Sequence, residues 1–361
     1  MAPGVITGHA PQLSVFEHRP NDWAALGVLW QSFEQQVTCS FFQSWAWVGC
    51  LAEERFDDPI LIEIRRGDTC VALALFNRRR RWLLPDILCL SESGQPGWDS
   101  VFIEHNDVLA MQNAPAARDQ CLEAASSRRV LVLSGVDDDA LACAENLART
   151  CVARQTRQAP FIDLTGLANG AAYLDRLSAN TRYQLRRSAR VYAKGGELTL
   201  TRAASTAERH EFLTDLARLH QAYWTGRGRA GAFAIPRFVR FHHELIKRSA
   251  AVDLLRISAG NQVVGYLQNF CFRGRVAAYQ SGLDYANAPS HAKPGMTSHL
   301  LAIERYLADG MQEYDFLAGA DRYKTSLATA SRALHWVTLA PRWSVPAAAA
   351  RITQRIRART A

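Results

Sequence analysis

The stretch Ala288-Pro-Ser-His-Ala-Lys-Pro-Gly295 precedes a helical pattern at Met296, Leu300, Ile303 and Leu307. A helix start leaves backbone N–H groups without intrahelical acceptors and carries a partial positive charge. A glycine there lets a diphosphate approach the backbone, and a lysine adds a point charge. Lys293, Gly295, Met296 and Thr297 are therefore candidates for gripping a cofactor diphosphate. The same residues also suit a plain surface loop with proline in the first helical turn. A second polar stretch, Ala318-Gly-Ala-Asp-Arg-Tyr-Lys324, follows a short strand pattern over Glu313–Leu317. In an open sheet, residues just past a strand end line the ligand crevice, so the segment from Asp315 to Lys324 is a candidate reaction site. Asp321 and Lys324 also have the spacing to brace one helical turn. A third group is His220, Trp224 and Arg227, at a helix end and in a Gly-rich run that could close over a substrate. Trp224 equally suits a core position. Arg182, Arg186, Arg187 and Arg190 fall on one helix face, which is either solvated or set against an anionic substrate or RNA backbone.

The elements that must position these residues are legible in the hydropathy. The apolar runs Val252–Ser258, Val263–Phe272 and Val276–Leu283 are separated by Gly260-Asn261 and Arg273-Gly274. Gly and Asn tolerate positive φ, so the spacing predicts a three-strand meander. A helix stopped by Gly310 and a strand then follow. The same order occurs earlier: Ile60–Ile64 and Cys70–Phe76 around Gly67, then Ile87–Leu90, a helix over 114–125 and a strand over Val130–Leu133. We read this as a weak internal duplication. The first copy lacks the Lys-Pro-Gly loop and the Gly-Ala-Asp-Arg-Tyr-Lys segment, which assigns substrate chemistry to the second. That second copy opens on Phe161–Leu164 and a helix over Tyr173–Ala193, followed by a strand over Glu197–Arg202. Helices over Ala207–Trp224 and Phe238–Arg248 come next. The aromatics between 21 and 55 read as core, with Asp22 and Ser44 capping two helices. The predicted organisation is an unstructured 1–20, a first domain over 21–158, a second over 159–340 and a basic tail over 341–361.

Net charge of +8 permits a nucleic acid, an anionic membrane surface or a phosphorylated substrate as partner. No run of about 18 apolar residues exists, so no spanning helix is expected. The first residues lack the basic and apolar regions of a secretory signal. The eight cysteines form no Cys-x-x-Cys pair, which points to free thiols in a reducing cytoplasm and to no metal site.

Three segments together resemble tandem GNAT proteins. They are Phe-Ile-Asp-Leu…Asn-Thr-Arg-Tyr-Gln-Leu-Arg-Arg, then Val-Val-Gly-Tyr…Tyr-Gln-Ser-Gly-Leu-Asp…Lys-Pro-Gly-Met, then Tyr-Asp-Phe-Leu-Ala-Gly-Ala-Asp-Arg-Tyr-Lys. The resemblance spans about residues 30–340. It is greatest to the BioF2-like, CelD-like acetyltransferases, with a more distant similarity to the FemA/FemB aminoacyltransferases. It implies an α/β fold with a mixed sheet, in tandem GNAT-like domains. It also implies transfer of an acyl group from acyl-CoA (acetyl-CoA) to an amine, on a small molecule or glycan, in exopolysaccharide or cell-envelope synthesis. Under it, Asp315 and Asp321 could act as base, Tyr279 and Tyr323 as proton donors, and Lys324 as the charge-stabilising lysine of the Fem group's Phe-Lys motif, here Tyr-Lys. The GNAT glycine-rich motif is reduced to His291-Ala-Lys-Pro-Gly-Met-Thr297, which keeps aminoacyl-tRNA open as a donor. The first copy's degeneracy keeps a non-catalytic scaffold open too. The Arg351–Arg359 tail is expected to touch an anionic membrane weakly or to be a frayed helix.

Overall fold

In the computed structural model the chain divides into two compact units. One is built from the chain up to Gln155 together with the stretch from His335, and the other runs from Thr156 to Leu334. The structure describes residues 12–95, 97–99, 101–147, 149–319 and 321–350.

The first unit begins with β1 (Leu13–His18), α1 (Trp23–Glu34) and α2 (Trp45–Arg55). Asp22 and Ser44 cap the two helices as expected, accepting from the Ala25 and Trp47 amides at 3.0 and 3.4 Å. Trp45 is clamped between the helices: a Cβ on Gly27 would come within 2.5 Å of its ring, and one on Gly49 within 2.6 Å. Trp30 donates to the Gln43 carbonyl at 3.0 Å, and Trp47 packs edge-on to Phe42. These aromatics are core, as read. The hairpin of β2 (Pro59–Arg66) and β3 (Thr69–Arg79) turns at Gly67, whose φ of +60° a side chain would strain. β4 (Ile87–Leu90), the short β5 (Leu109–Ala110), α3 (Pro115–Ser126), β6 (Val130–Val136), α4 (Asp138–Asn146) and β7 (Arg149–Asp163) follow. β4 runs antiparallel to β3 and parallel to β6, with α3 between β5 and β6.

The second unit repeats this plan. After β7 come α5 (Gly170–Asp175), α6 (Ala179–Tyr192), β8 (Leu198–Arg202), α7 (Thr206–Thr225) and α8 (Pro236–Arg248). The predicted meander is β9 (Val252–Ala259), β10 (Gln262–Phe272) and β11 (Arg275–Leu283). Then α9 (Pro294–Ala308), β12 (Glu313–Asp315), α10 (Arg322–Leu327) and β13 (Ala330–Pro341) close the order, with β11 and β12 parallel. The last residues of β7 pair with β12, Asp163 opposite Glu313. The core packs Tyr173, Leu185, Ile257, Leu267, Ile303 and Phe316 between helices and sheet.

Four expectations change. The sequence leaves 1–20 unstructured, yet Leu13–His18 pairs with β2. This strand is mostly exposed, so its residues carry little of the alternation that reveals a half-buried strand. The single helix expected over Tyr173–Ala193 is two, because Ser178 accepts from the Thr181 amide at 3.1 Å and restarts the chain as α6. The domain border at 340 moves to His335, since His335–Leu339 pairs with β6. The other border falls at 155–156. Hydropathy marks a strand but not its partner. The eight cysteines are free thiols. Among the described residues no helix is long and apolar enough to cross a membrane. Residues 1–11 and the Arg351–Arg359 tail lie outside the described residues.

Candidate active site

The ladder between β10 and β11 slips once. Gln268 lies opposite Gln280 and Asn269 opposite Ala278, so β11 bulges at Tyr279. A bulge bends its strand and re-aims a side chain. Tyr279 lines a cavity of about 270 Å³, together with His220 and Trp224 from α7, His299 from α9, Asp321 at the N-cap of α10, and Tyr323 and Lys324 within α10.

Lys324 reaches its place through a turn built for it. Asp315, buried at the end of β12, accepts from the Leu317 amide at 2.6 Å. Leu317 sits at φ +61°, a left-handed conformation costly for a leucine. The turn presents the carbonyl of Phe316 to Lys324 Nζ at 2.8 Å. Gly319 adopts φ +150°, and a Cβ there would lie 3.1 Å from Nζ. Arg332 pairs with Glu313, lies 3.9 Å from Asp315 and stacks on Phe161. Asp315 thus supports the turn and is not among the residues that line the cavity.

His299 is buried, with Nδ1 2.7 Å from the Tyr314 hydroxyl and its ring stacked on Tyr323. Burial, and then the Lys324 charge, push its pKa down to about 3, so the imidazole is neutral at pH 7. His220 holds the Ser281 carbonyl at 3.1 Å through Nδ1, and burial lowers its pKa from the ordinary 6.5. Burial, with Asp321 and two tyrosines nearby, raises the Tyr323 phenol, which therefore stays protonated.

A second groove, of about 540 Å³, opens at the start of α9 and is lined by Lys293, Gly295, Met296, Asn180, Gln184 and Arg322. It shares Tyr285 and Tyr323 with the cavity. Burial and the neighbouring Tyr223 push Tyr285 up to about 12. The helix start is anchored to α6 by Ser188, which accepts from the Lys293 amide at 2.8 Å and bonds Thr297 Oγ1 at 2.7 Å.

The fold therefore gathers Lys324, Tyr323, Asp321, Tyr279, His220 and Trp224 around the cavity, and Lys293, Gly295 and Met296 around the groove. It does not bring the others there. Thr297 is buried between helices. Arg186 is exposed on α6. Arg227 lies over the Tyr223 ring at 3.6 Å and donates to its carbonyl, bracing the end of α7. Sequence reasoning missed His299 and Tyr285. His299 does stand on the apolar stripe of α9, three residues after Met296, and a histidine on a buried stripe was the available signal.

Residues 179–325 match the acetyltransferase (GNAT) domain. The second unit has a GNAT fold. Most of the chain superposes on FemX, with a TM-score of 0.58 at 10% identity, covering 89% of this chain and 96% of that one. The C-terminal domain of a putative lysylphosphatidylglycerol synthetase from Agrobacterium fabrum gives 0.53 at 11% identity, covering 88% and 92%. A conserved protein of unknown function from Bacteroides thetaiotaomicron gives 0.55 at 9% identity, covering 88% and 97%. At these identities the likeness is one of fold. No curated protein matches the sequence.

Proposed function

We propose that the second unit is an N-acyltransferase that moves an acyl group from acyl-CoA, lying in the groove, to an amine in the cavity. The observation that carries this reading is that groove and cavity meet at Tyr285 and Tyr323, one beginning at a helix N-terminus with Lys293 and the other lined by Lys324. The diphosphate binds Lys293 and the backbone of Gly295 and Met296, where N–H groups and helix dipole favour an anion. The thioester then reaches the Tyr285–Tyr323 boundary, within range of an amine beside Tyr279 and Trp224. Lys324 neutralises the developing oxyanion or thiolate, Tyr323 offers a proton, and Asp321 orients one of them or takes the amine proton. The GNAT match over 179–325 supports the reaction class. We place the protein in the cytoplasm, with a small-molecule or glycan amine of exopolysaccharide or envelope synthesis as acceptor. Calorimetry with acetyl-CoA tests the donor. Binding that Lys293→Ala weakens is expected, and no binding to the full chain would sink the reading.

A second reading is Fem-like transfer from an aminoacyl-tRNA ester, favoured by the FemX likeness and by the exposed basic residues Arg186 and Arg190 on α6. Transfer from charged tRNA, with acetyl-CoA inert, would select it. Ligand-free behaviour with every donor would select a scaffold.

A further inference from the structure

Two imidazoles line the cavity, and each is tied through Nδ1 to a different kind of partner. His220 Nδ1 faces a backbone carbonyl, the oxygen of Ser281 at 3.1 Å. A carbonyl only accepts, so this nitrogen carries the hydrogen and Nε2 is left with a lone pair. His299 Nδ1 faces the Tyr314 hydroxyl at 2.7 Å. Tyr314 is fully buried, and this imidazole is the one hydrogen-bond partner of its hydroxyl among the described residues. A phenol has a single hydrogen, and accepting from a ring N–H would leave that hydrogen without an acceptor. The phenol therefore donates to Nδ1, and His299 carries its own hydrogen on Nε2.

Both Nε2 atoms are buried and without a hydrogen-bond partner. An unsatisfied buried polar atom is costly and calls for an explanation. Both rings line the same cavity, which has room for a ligand to supply the missing partners. The two atoms are opposite in character, one an acceptor and one a donor. Their surroundings differ as well. His299 feels the Lys324 charge and stacks on Tyr323, which puts it with the cationic and phenolic groups of α10. His220 sits on α7 among Trp224 and Phe233 rings, 6.1 and 5.1 Å away. The other titratable groups around the cavity are Asp321, Tyr279, Tyr285 and Tyr223.

We propose that His220 and His299 act as a complementary pair in the acyl transfer inferred above: His220 Nε2 takes a proton from the attacking amine, and the His299 Nε2–H donates to the carbonyl oxygen as it becomes an oxyanion. The inference rests on the acyltransferase reading and gives His220 the proton transfers that this reading leaves to Asp321 and Tyr323, which then orient the reacting groups beside Lys324. The uncharged amine forms the new C–N bond, the carbonyl electron pair moves to oxygen beside His299, and the amine hydrogen passes to His220. Collapse breaks the C–S bond. The sulfur leaves with the pair and takes the proton from His220, so thioester and amine become amide and thiol. An imidazole too weakly basic to compete with a free ammonium serves once the nitrogen has bonded to carbon and its hydrogens have become acidic. A neutral imidazole N–H is a suitable oxyanion donor because it is held in place before the charge develops.

The test has two arms on the full-length protein. Nitrogen-15 long-range spectra at pH 7.5, assigned with His220→Gln and His299→Gln, should show His220 Nε2 unprotonated and His299 Nε2 protonated. The opposite tautomer at either ring overturns the pair whatever the reaction is. In the second arm, thiol release from acetyl-CoA is followed with glucosamine and hydroxylamine as acceptors. His220→Gln should lower kcat by roughly 10²–10⁴ and remove the acid limb of the pH profile, with KM for acetyl-CoA unchanged. His299→Leu should lower kcat by about 10²–10³, and His299→Gln, which keeps an N–H donor, should recover part of it. Wild-type turnover with undiminished kcat and an intact acid limb in His220→Gln overturns the pair while leaving the acyltransferase standing. Absence of wild-type turnover, despite both expected tautomers, overturns the acyltransferase reading and the assigned roles with it.

Discussion

The two units use one strand order for different ends. In the first, β1-β2-β3-β4-β6-β13 is the sequence of neighbours, and in the second it is β8-β9-β10-β11-β12-β7. Each has a meander, a helix and then a strand parallel to the meander's third strand. The difference lies in what meets the sheet. In the first unit α1 and α2 close on Trp30, Trp45 and Trp47, whose rings are buried. In the second, α7 ends at a cavity whose wall carries two histidines, a lysine and an aspartate. The same frame holds a packed core where aromatic volume fills it, and a site where polar side chains line a cavity. α3 and α9 carry the contrast further. Both begin with proline, but α3 begins Ala-Pro-Ala, whereas α9 begins Lys-Pro-Gly and opens on a groove.

The comparison can be broken most severely in the first unit. Trp47→Ala should cost about 3–5 kcal/mol of stability, the scale for emptying a buried tryptophan site. Acetyl-CoA affinity of the folded fraction should not change. Denaturant titration alongside calorimetry checks both, and a loss of affinity in the folded variant would show that the first unit takes part in binding.

Lys324→Met probes the second unit. We expect kcat to fall by roughly 10²–10³ with donor affinity retained, the scale of one lost oxyanion-stabilising group. Steady-state thiol release measures it. Unchanged turnover would leave Lys324 as a brace for the Phe316 turn.

Gly295→Val places a branched side chain where a Cβ already meets Leu283 at 3.3 Å and the Tyr285 hydroxyl at 3.5 Å. Acetyl-CoA binding should weaken at least about tenfold, or roughly 1.4 kcal/mol. A variant that binds as well as wild type by calorimetry removes the groove from donor recognition.

The neutral state of His299 makes stability depend on pH. Its folded pKa of about 3 lies below the ordinary 6.5, so between these values the unfolded chain binds a proton that the folded chain does not. The stability it contributes is present above pH 6.5 and is lost progressively as pH falls toward 3, by at most about 1.4 kcal/mol per pH unit. His299→Gln should make the wild-type slope shallower over that window in denaturant titrations. An identical slope would mean that the ring is protonated in the fold.

The smallest effect is expected at Arg227→Ala. Its guanidinium braces an exposed helix end, so loss should cost a few tenths of a kcal/mol and leave KM for the acceptor unchanged. A raised KM would restore Arg227 to the binding surface.

The sequence by itself determined the meander, its turns and the two helix caps. Gly67, Gly260, Asp22 and Ser44 act on their own neighbours, and local geometry needs only local residues. It also determined the starting residues of the groove, because a helix N-terminus with lysine and glycine is a property of one contiguous stretch. It marked the polar segment after β12, again from local order. The tertiary structure decided everything that depends on distance across the chain. Asp315 and Lys324 read alike as candidate reactive groups. Burial and the Leu317 turn made one a support and placed the other on the cavity wall. Thr297 followed the Lys-Pro-Gly loop in sequence but turned to Ser188, on α6. His299 is marked in the sequence only as a histidine on the apolar stripe of α9, since its neutrality comes from burial and Lys324, and its Nδ1 partner, Tyr314, lies on another element. A proton's position depends on which groups are brought within hydrogen-bond reach, and only the packed sheet and helices set that.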